Sequence, residues 1–217
     1  MNDDMLADGP LADLARLRAI AEEGRRRPLL GGRHLILWGC VIALASLLHA
    51  MIVRGTIALP PIGIAIIWFG LTGAAALVSN SALFNEKKHA QLGDVANRME
   101  RAIWGIGGAF FGVITVGIFA RAVIALQSDD DNSLFELFAL MPAITFGVYA
   151  IILRASAEAA NFHKLKLYSW LSLAFVAISV LLIGHIAQFV TTAIGAVLVS
   201  VLPGRLLLRL ESDAERG

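Results

Sequence analysis

Four side chains in this chain of 217 residues sit where chemistry in an apolar setting is conceivable: Glu136, Arg121, His49 and His185. Glu136 is the one carboxylate inside an apolar run, and an ionisable group at membrane depth is costly enough to be a functional candidate by default. It falls at the start of its run, near the lipid surface, where water is within reach. Arg121, near the end of the preceding run, is the natural ion-pair partner. A pair at that depth is more often structural than proton-relaying. His49 and His185 are both expected near the same membrane face, where two imidazoles on facing helices would begin a metal or haem site. No further ligand pattern accompanies them, and interfacial histidine is the ordinary reading. His34 and His49 are 15 residues apart on one helix, about 22 Å, so they cannot share an ion.

Known catalytic signatures are missing. The chain has no Gly-x-Ser-x-Gly turn, no His-Glu-x-x-His pair and no Gly-x-x-x-x-Gly-Lys phosphate loop. Asp129, Asp130 and Asp131 resemble half of a calcium loop, but its glycine and closing glutamate are absent. A solvated turn that caps the next helix through Asn132 or Ser133 is the better reading. The single cysteine, Cys40, has no disulfide partner and fits no metal-ligand spacing, so it reads as a small apolar packing residue. No cofactor and no metal are expected.

The elements that must position these residues are membrane helices. Hydrophobic residues make up 58% of the chain and charged residues only 16%, against roughly 25% charged in a soluble domain. A helix rises about 1.5 Å per residue, so a bilayer core takes about 20 apolar residues. Runs of that length lie at residues 35–53, 57–78 (entered through Pro60-Pro61), 103–126 and 134–153 (with Pro142 inside). A final stretch, 167–202, has no Asp, Glu, Lys or Arg. As one helix it would reach about 54 Å, too long for a bilayer, so it must fold back. Ile183-Gly184-His185 is the best break, giving spans 167–183 and 185–202. The fold expected is all-α: a six-transmembrane-helix bundle over residues 35–202.

Charge placement tests that count independently. Sixteen of the 18 lysines and arginines fall before the first span, between spans two and three, between four and five, or after six; only Arg54 and Arg121 fall in the other connections. By the positive-inside rule both ends of the chain are cytoplasmic, and the expected location is a bacterial inner membrane. The start is acidic (Asp3, Asp4) and no cleavable signal is apparent, so the first span is expected to direct insertion.

Residues 1–34 read as a cytoplasmic segment with a short amphipathic helix. Asp8 can cap it, Pro10 lies in its first turn, Leu11, Leu14, Leu17 and Ile20 share a face, and Gly24 ends it. Arg25, Arg26 and Arg27 follow at the membrane edge, suited to anionic lipid headgroups or to a cytoplasmic protein partner. A second amphipathic pattern, Leu92, Val95, Ala96, Met99 and Ile103, is best read as an extension of span three. Residues 203–217 form the cytoplasmic tail.

Close-packing signals are strongest in span three, where Gly108 and Gly112 make a small-xxx-small step; this face suits a central helix or a homo-oligomer contact. Thr192, Ala196 and Ser200 offer a similar face in span six, and Gln188 with Thr191 and Thr192 can satisfy one another across helices. The net charge of +1 gives no reason to expect a nucleic-acid partner. Two function classes follow. The first is a non-enzymatic membrane protein that anchors or regulates a cytoplasmic partner. The second is a small-solute or ion transporter or channel, motivated by Glu136 and the glycine-rich span.

Overall fold

In the computed structural model, residues 31–81, 95–125, 131–159 and 161–214 are described, together with Leu14 and Arg216, although not every side chain within them is. These residues are helical apart from short turns and extended connections. The helices are α1 (Gly32–Val53), α2 (Pro61–Asn80), α3 (Val95–Ala125), α4 (Asp131–Ala159), α5 (His163–Leu181) and α6 (Ala187–Ala196). A π-helical turn, Val197–Val201, carries α6 into α7 (Leu202–Ala214). With α6 and α7 counted as one, six helices are long and apolar enough to cross a membrane, as in a multi-pass membrane protein. The expected N-terminal amphipathic helix lies outside the described residues apart from Leu14.

The surface supports lipid as the solvent. Leu77, Ile106, Val113, Ile151, Leu167 and Leu181 are all exposed, a coat that water would not tolerate over such an area. The interior, by contrast, is rich in small residues: Ala45, Ser46, Ala157 and Ser172 are fully buried. Without a hydrophobic drive between helices, small residues that let backbones approach supply the packing. Cys40 is exposed, so it contributes to the outer face rather than to packing inside the bundle.

Local chemistry explains where the helices begin and end. Gly55, at φ +77°, closes α1, with its N–H on Ile52 O and that of Thr56 on Met51 O, the paired bonds of a glycine-terminated helix. The second helix starts at Pro61 rather than at Ile57, because a proline forces the residue before it, Pro60, into extended backbone. The long last stretch breaks where expected: α5 ends at Leu181, and Gly184 takes φ +83° in the turn. Helix α3 runs unbroken from Val95, so the amphipathic pattern there does extend the span. Helix α4 continues through Pro142 to Ala159, six residues beyond the apolar run.

The helix after Gly184 also outruns its expected end at residue 202. Pro203 has no N–H for Val199 O, and the ladder shifts to five-residue spacing, seen in the bond from Leu202 N to Val197 O. The shift lets the chain pass the proline without ending the helix. Beyond it, Pro203, Gly204, Leu207 and Glu211 form the buried side of α7, while Arg205 and Arg209 are exposed.

The topology is not a row of sequential hairpins. Helix α4 packs along α5, and α1 packs along α6, the π turn and α7, so the first and last helices are partners. Helix α2 lies outside α1, and α3 lies outside α4. The sequence placed α3 as a central or interface helix; within the chain it is peripheral. At one end Leu35, Tyr149, Leu153, Ala157, Leu165 and Leu207 form a single buried cluster, with Trp104, Phe162 and Tyr168 against it.

Candidate functional site

Polar side chains inside the bundle are built into helix contacts. Along α5, Ser169 Oγ donates to Ala150 O at 2.8 Å and Ser172 Oγ to Phe146 O at 2.7 Å. Phe175 continues the same face and lies against Phe146, ring centroids 5.1 Å apart. The face ends at Ser179, whose carbonyl accepts from Gln188 Nε2 at 3.0 Å. The same Gln188 nitrogen donates to Ala139 O at 2.6 Å, so one amide on α6 joins α4 and α5. Ala139 sits in the turn before Pro142, where the missing proline N–H and the bulk of the ring disturb the ladder. Neighbouring side chains commonly stabilise such carbonyls in membrane helices.

Thr191 and Thr192 do not take part in that cross-helix exchange. Thr192 Oγ1 donates to Gln188 O at 2.6 Å and Thr191 Oγ1 to Ala187 O at 2.9 Å, both within α6. A threonine hydroxyl reaches the carbonyl four residues back more readily than a neighbouring helix. The face Thr192, Ala196 and Ser200 is nonetheless buried as its spacing implied.

At the π turn, Ser200 Oγ donates to Leu35 O at 2.6 Å and lies 3.4 Å from the Tyr149 hydroxyl. A serine has one proton, so with it given to Leu35 the longer contact is best filled by Tyr149 O–H pointing at Ser200 Oγ. Gly39 makes room for this: a Cβ there would lie 2.8 Å from Ser200 Cβ. Trp104 meets Tyr149 edge-on, with ring centroids 5.5 Å apart. Ser46 and Ser156 are buried without a partner for Oγ, and it is their small volume that the helix contacts use.

His49 lies at the other end of α1. Its Nδ1 accepts from Trp68 Nε1 at 3.2 Å, and its ring stacks on Phe189 with centroids 3.8 Å apart. The indole is a donor only, so the imidazole is neutral with its proton on Nε2. His185 is exposed in the turn that precedes α6. The described partners of His49 are thus Trp68 and Phe189, and among the described residues no group of three His, Cys, Asp or Glu could hold a metal ion.

The remaining sequence candidates fall elsewhere. Arg121 is exposed on the last turn of α3, and Glu136 is on the second turn of α4 with its side chain outside those described. Arg25, Arg26 and Arg27 lie outside the described residues. Gly108 and Gly112 face open space, whereas Gly107 faces α4, with a Cβ there 2.5 Å from Ile152 Cδ1. In the connection from Arg154 to Lys166, Glu158 pairs with Arg154 at 3.0 Å and accepts from Lys166 at 2.9 Å.

Chemically the interior is restrained. The hydroxyls of Ser169, Ser172, Thr192 and Ser200 donate to main-chain carbonyls, which is not the serine-to-base geometry that activates a nucleophile. Sequence reasoning missed Trp68, Tyr149 and the serine face of α5. The spacing Ser169, Ser172, Phe175, Ser179 is a readable helical stripe; nothing local marks Trp68 as the partner of a histidine 19 residues away. Compared with known proteins, the chain matches no family model, no curated protein and no solved structure at a significant level.

Proposed function

We propose that this is a non-enzymatic integral membrane protein of the bacterial inner membrane that anchors or regulates a cytoplasmic protein, with both ends of the chain cytoplasmic. The observation that supports this reading is the use of the buried polar groups. Ser169, Ser172, Gln188 and Ser200 each bind a carbonyl of a neighbouring helix, which holds helices together rather than lining a path for a solute. Coupling groups of transporters ordinarily sit at mid-membrane depth as ionisable side chains on broken helices. Among the described residues, the buried polar groups of the first five spans and α6 are instead hydroxyls, an amide and His49, and the one buried carboxylate, Glu211, lies in α7 near the end of the last span.

If the membrane part is scaffold, contact with other molecules falls to the segments outside it. The amphipathic residues 1–24 and the arginines at 25–27 are the first candidates, suited to anionic lipid and to a soluble partner. The test is an affinity pull-down from native membranes in mild detergent, comparing full-length protein with a Met1–Arg27 deletion. A soluble protein that co-purifies with the full chain and is lost on deletion supports the reading. Absence of any such protein from both samples counts against it.

A further inference from the structure

Helix α2 packs principally on α1, and at the Gly55 end a directional contact joins their side chains: Trp68 Nε1 donates to His49 Nδ1 at 3.2 Å. The bond works in one protonation state alone. An indole nitrogen can only donate, so His49 must offer a bare Nδ1 lone pair. Phe189 covers the imidazole from α6 at 3.8 Å, and His49 is only 7% exposed, so the ring has little room to turn its lone pair elsewhere.

We infer that His49 and Trp68 form a proton-sensitive latch between α1 and α2. A proton taken up from water at Nδ1 sets two N–H donors against each other at hydrogen-bond distance, and the indole must leave. The proton stays on the imidazole; nothing is passed on and no bond other than the hydrogen bond is broken.

Among the described residues, the surroundings offer a protonated His49 no partner that would hold it against Trp68. Helix α2, Pro61–Asn80, contains no Asp, Glu, Lys, Arg or His, and neither does α6, Ala187–Ala196. The nearest charged or titratable groups along the chain are Arg54, exposed at the end of α1, and His185, exposed in the turn before α6. No carboxylate on these elements can pin the imidazolium against Trp68. The glycines of α2 do not lock it to α1: a Cβ at Gly70 or Gly73 would meet nothing within 4 Å, and one at Gly63 would come nearest Leu59, in the connection before α2. Lipid-facing α2 is therefore the element that responds to acid at this end of the bundle, whatever the protein binds elsewhere.

The experiment uses the full chain, labelled with ¹⁵N, in lipid nanodiscs. Four indole N–H resonances are expected, and the one lost in Trp68→Phe belongs to Trp68. Titration from about pH 8 to about pH 4 brackets the usual range of histidine. The latch requires the Trp68 resonance to shift together with protonation of the His49 ring nitrogens while the other three indoles stay still. It also requires amide hydrogen exchange in α2 to rise at least several-fold over the same step. In His49→Phe, which keeps the stack on Phe189, both changes should vanish. A Trp68 signal that stays still as His49 titrates overturns the latch, as does a His49 that never titrates while the protein remains folded. So does an unchanged exchange rate in α2, or an equal response in His49→Phe.

Discussion

Gln188 on α6 places its amide nitrogen 2.6 Å from the carbonyl of Ala139 on α4, three residues ahead of Pro142. Gln188, 49 residues from Ala139 in sequence, thus ties α6 to the turn of α4 that precedes the proline. The same nitrogen reaches Ser179 O, so the contact also pins the turn between α5 and α6.

Replacing Gln188 with leucine removes the donor from both carbonyls. Interhelical hydrogen bonds in membranes contribute about 0.6 kcal/mol on average and up to about 1.7, so a loss of about 1–2 kcal/mol is expected. Gln188→Glu should be worse at alkaline than at acid pH. A carboxylate has nothing to donate, whereas its protonated form can restore one bond, so stability rises as pH falls. Unfolding in mixed micelles with increasing SDS at two pH values measures both effects. A Gln188→Glu curve with no pH dependence would rule out the donor role.

Gly32 and Gly204 bring the first and last helices together backbone to backbone. A Cβ on Gly204 would lie 2.7 Å from Gly32 O, and one on Gly32 would lie 2.8 Å from Gly204 O. Because the obstacles are main chain, they cannot swing away, and alanine at either site should cost about 1–3 kcal/mol. Gly107→Ala meets only the flexible tip of Ile152 and should be much milder.

Gly108→Ala should leave the monomer as stable or slightly more so, since alanine is favoured over glycine in a helix by about 1 kcal/mol. If that face joins two copies of the chain, Gly108→Leu with Gly112→Leu should instead abolish a dimer seen by chemical crosslinking in native membranes. Crosslinking that persists unchanged would remove these glycines from any oligomer contact.

On α5, Ser172→Ala gives up one bond to Phe146 O and should cost about 0.6 kcal/mol, whereas Ser172→Leu must be accommodated at a fully buried site and should prevent normal packing of α4 on α5. Thermal unfolding in detergent separates the two. Equal, small effects would mean that the serine face is not a packing seam.

Glu136 is the direct test of the transport alternative. Should the protein move a solute by way of this carboxylate, Glu136→Gln in reconstituted vesicles will lower flux at least tenfold with the fold intact. Unchanged flux leaves the alternative without its main support.

Much of the architecture was legible in the residues themselves. Apolar runs of bilayer length, the length argument that split 167–202, and Gly184 at the break follow from local physics: a helix has a fixed rise, and a positive φ favours glycine. The burial of Thr192, Ala196 and Ser200 was readable for the same reason, since spacing on a helix determines which residues share a side. Which helix that side would meet was not. In lipid every apolar face is equally well solvated, so hydrophobicity cannot select a partner; shape and a few hydrogen bonds do. Only the tertiary structure pairs α1 with the last helix through Gly32 and Gly204, turns Gly107 rather than Gly108 toward a neighbour, and sets His49 against Trp68 and Phe189. Those contacts depend on the relative rotation of whole helices, a quantity that no local pattern in the sequence encodes.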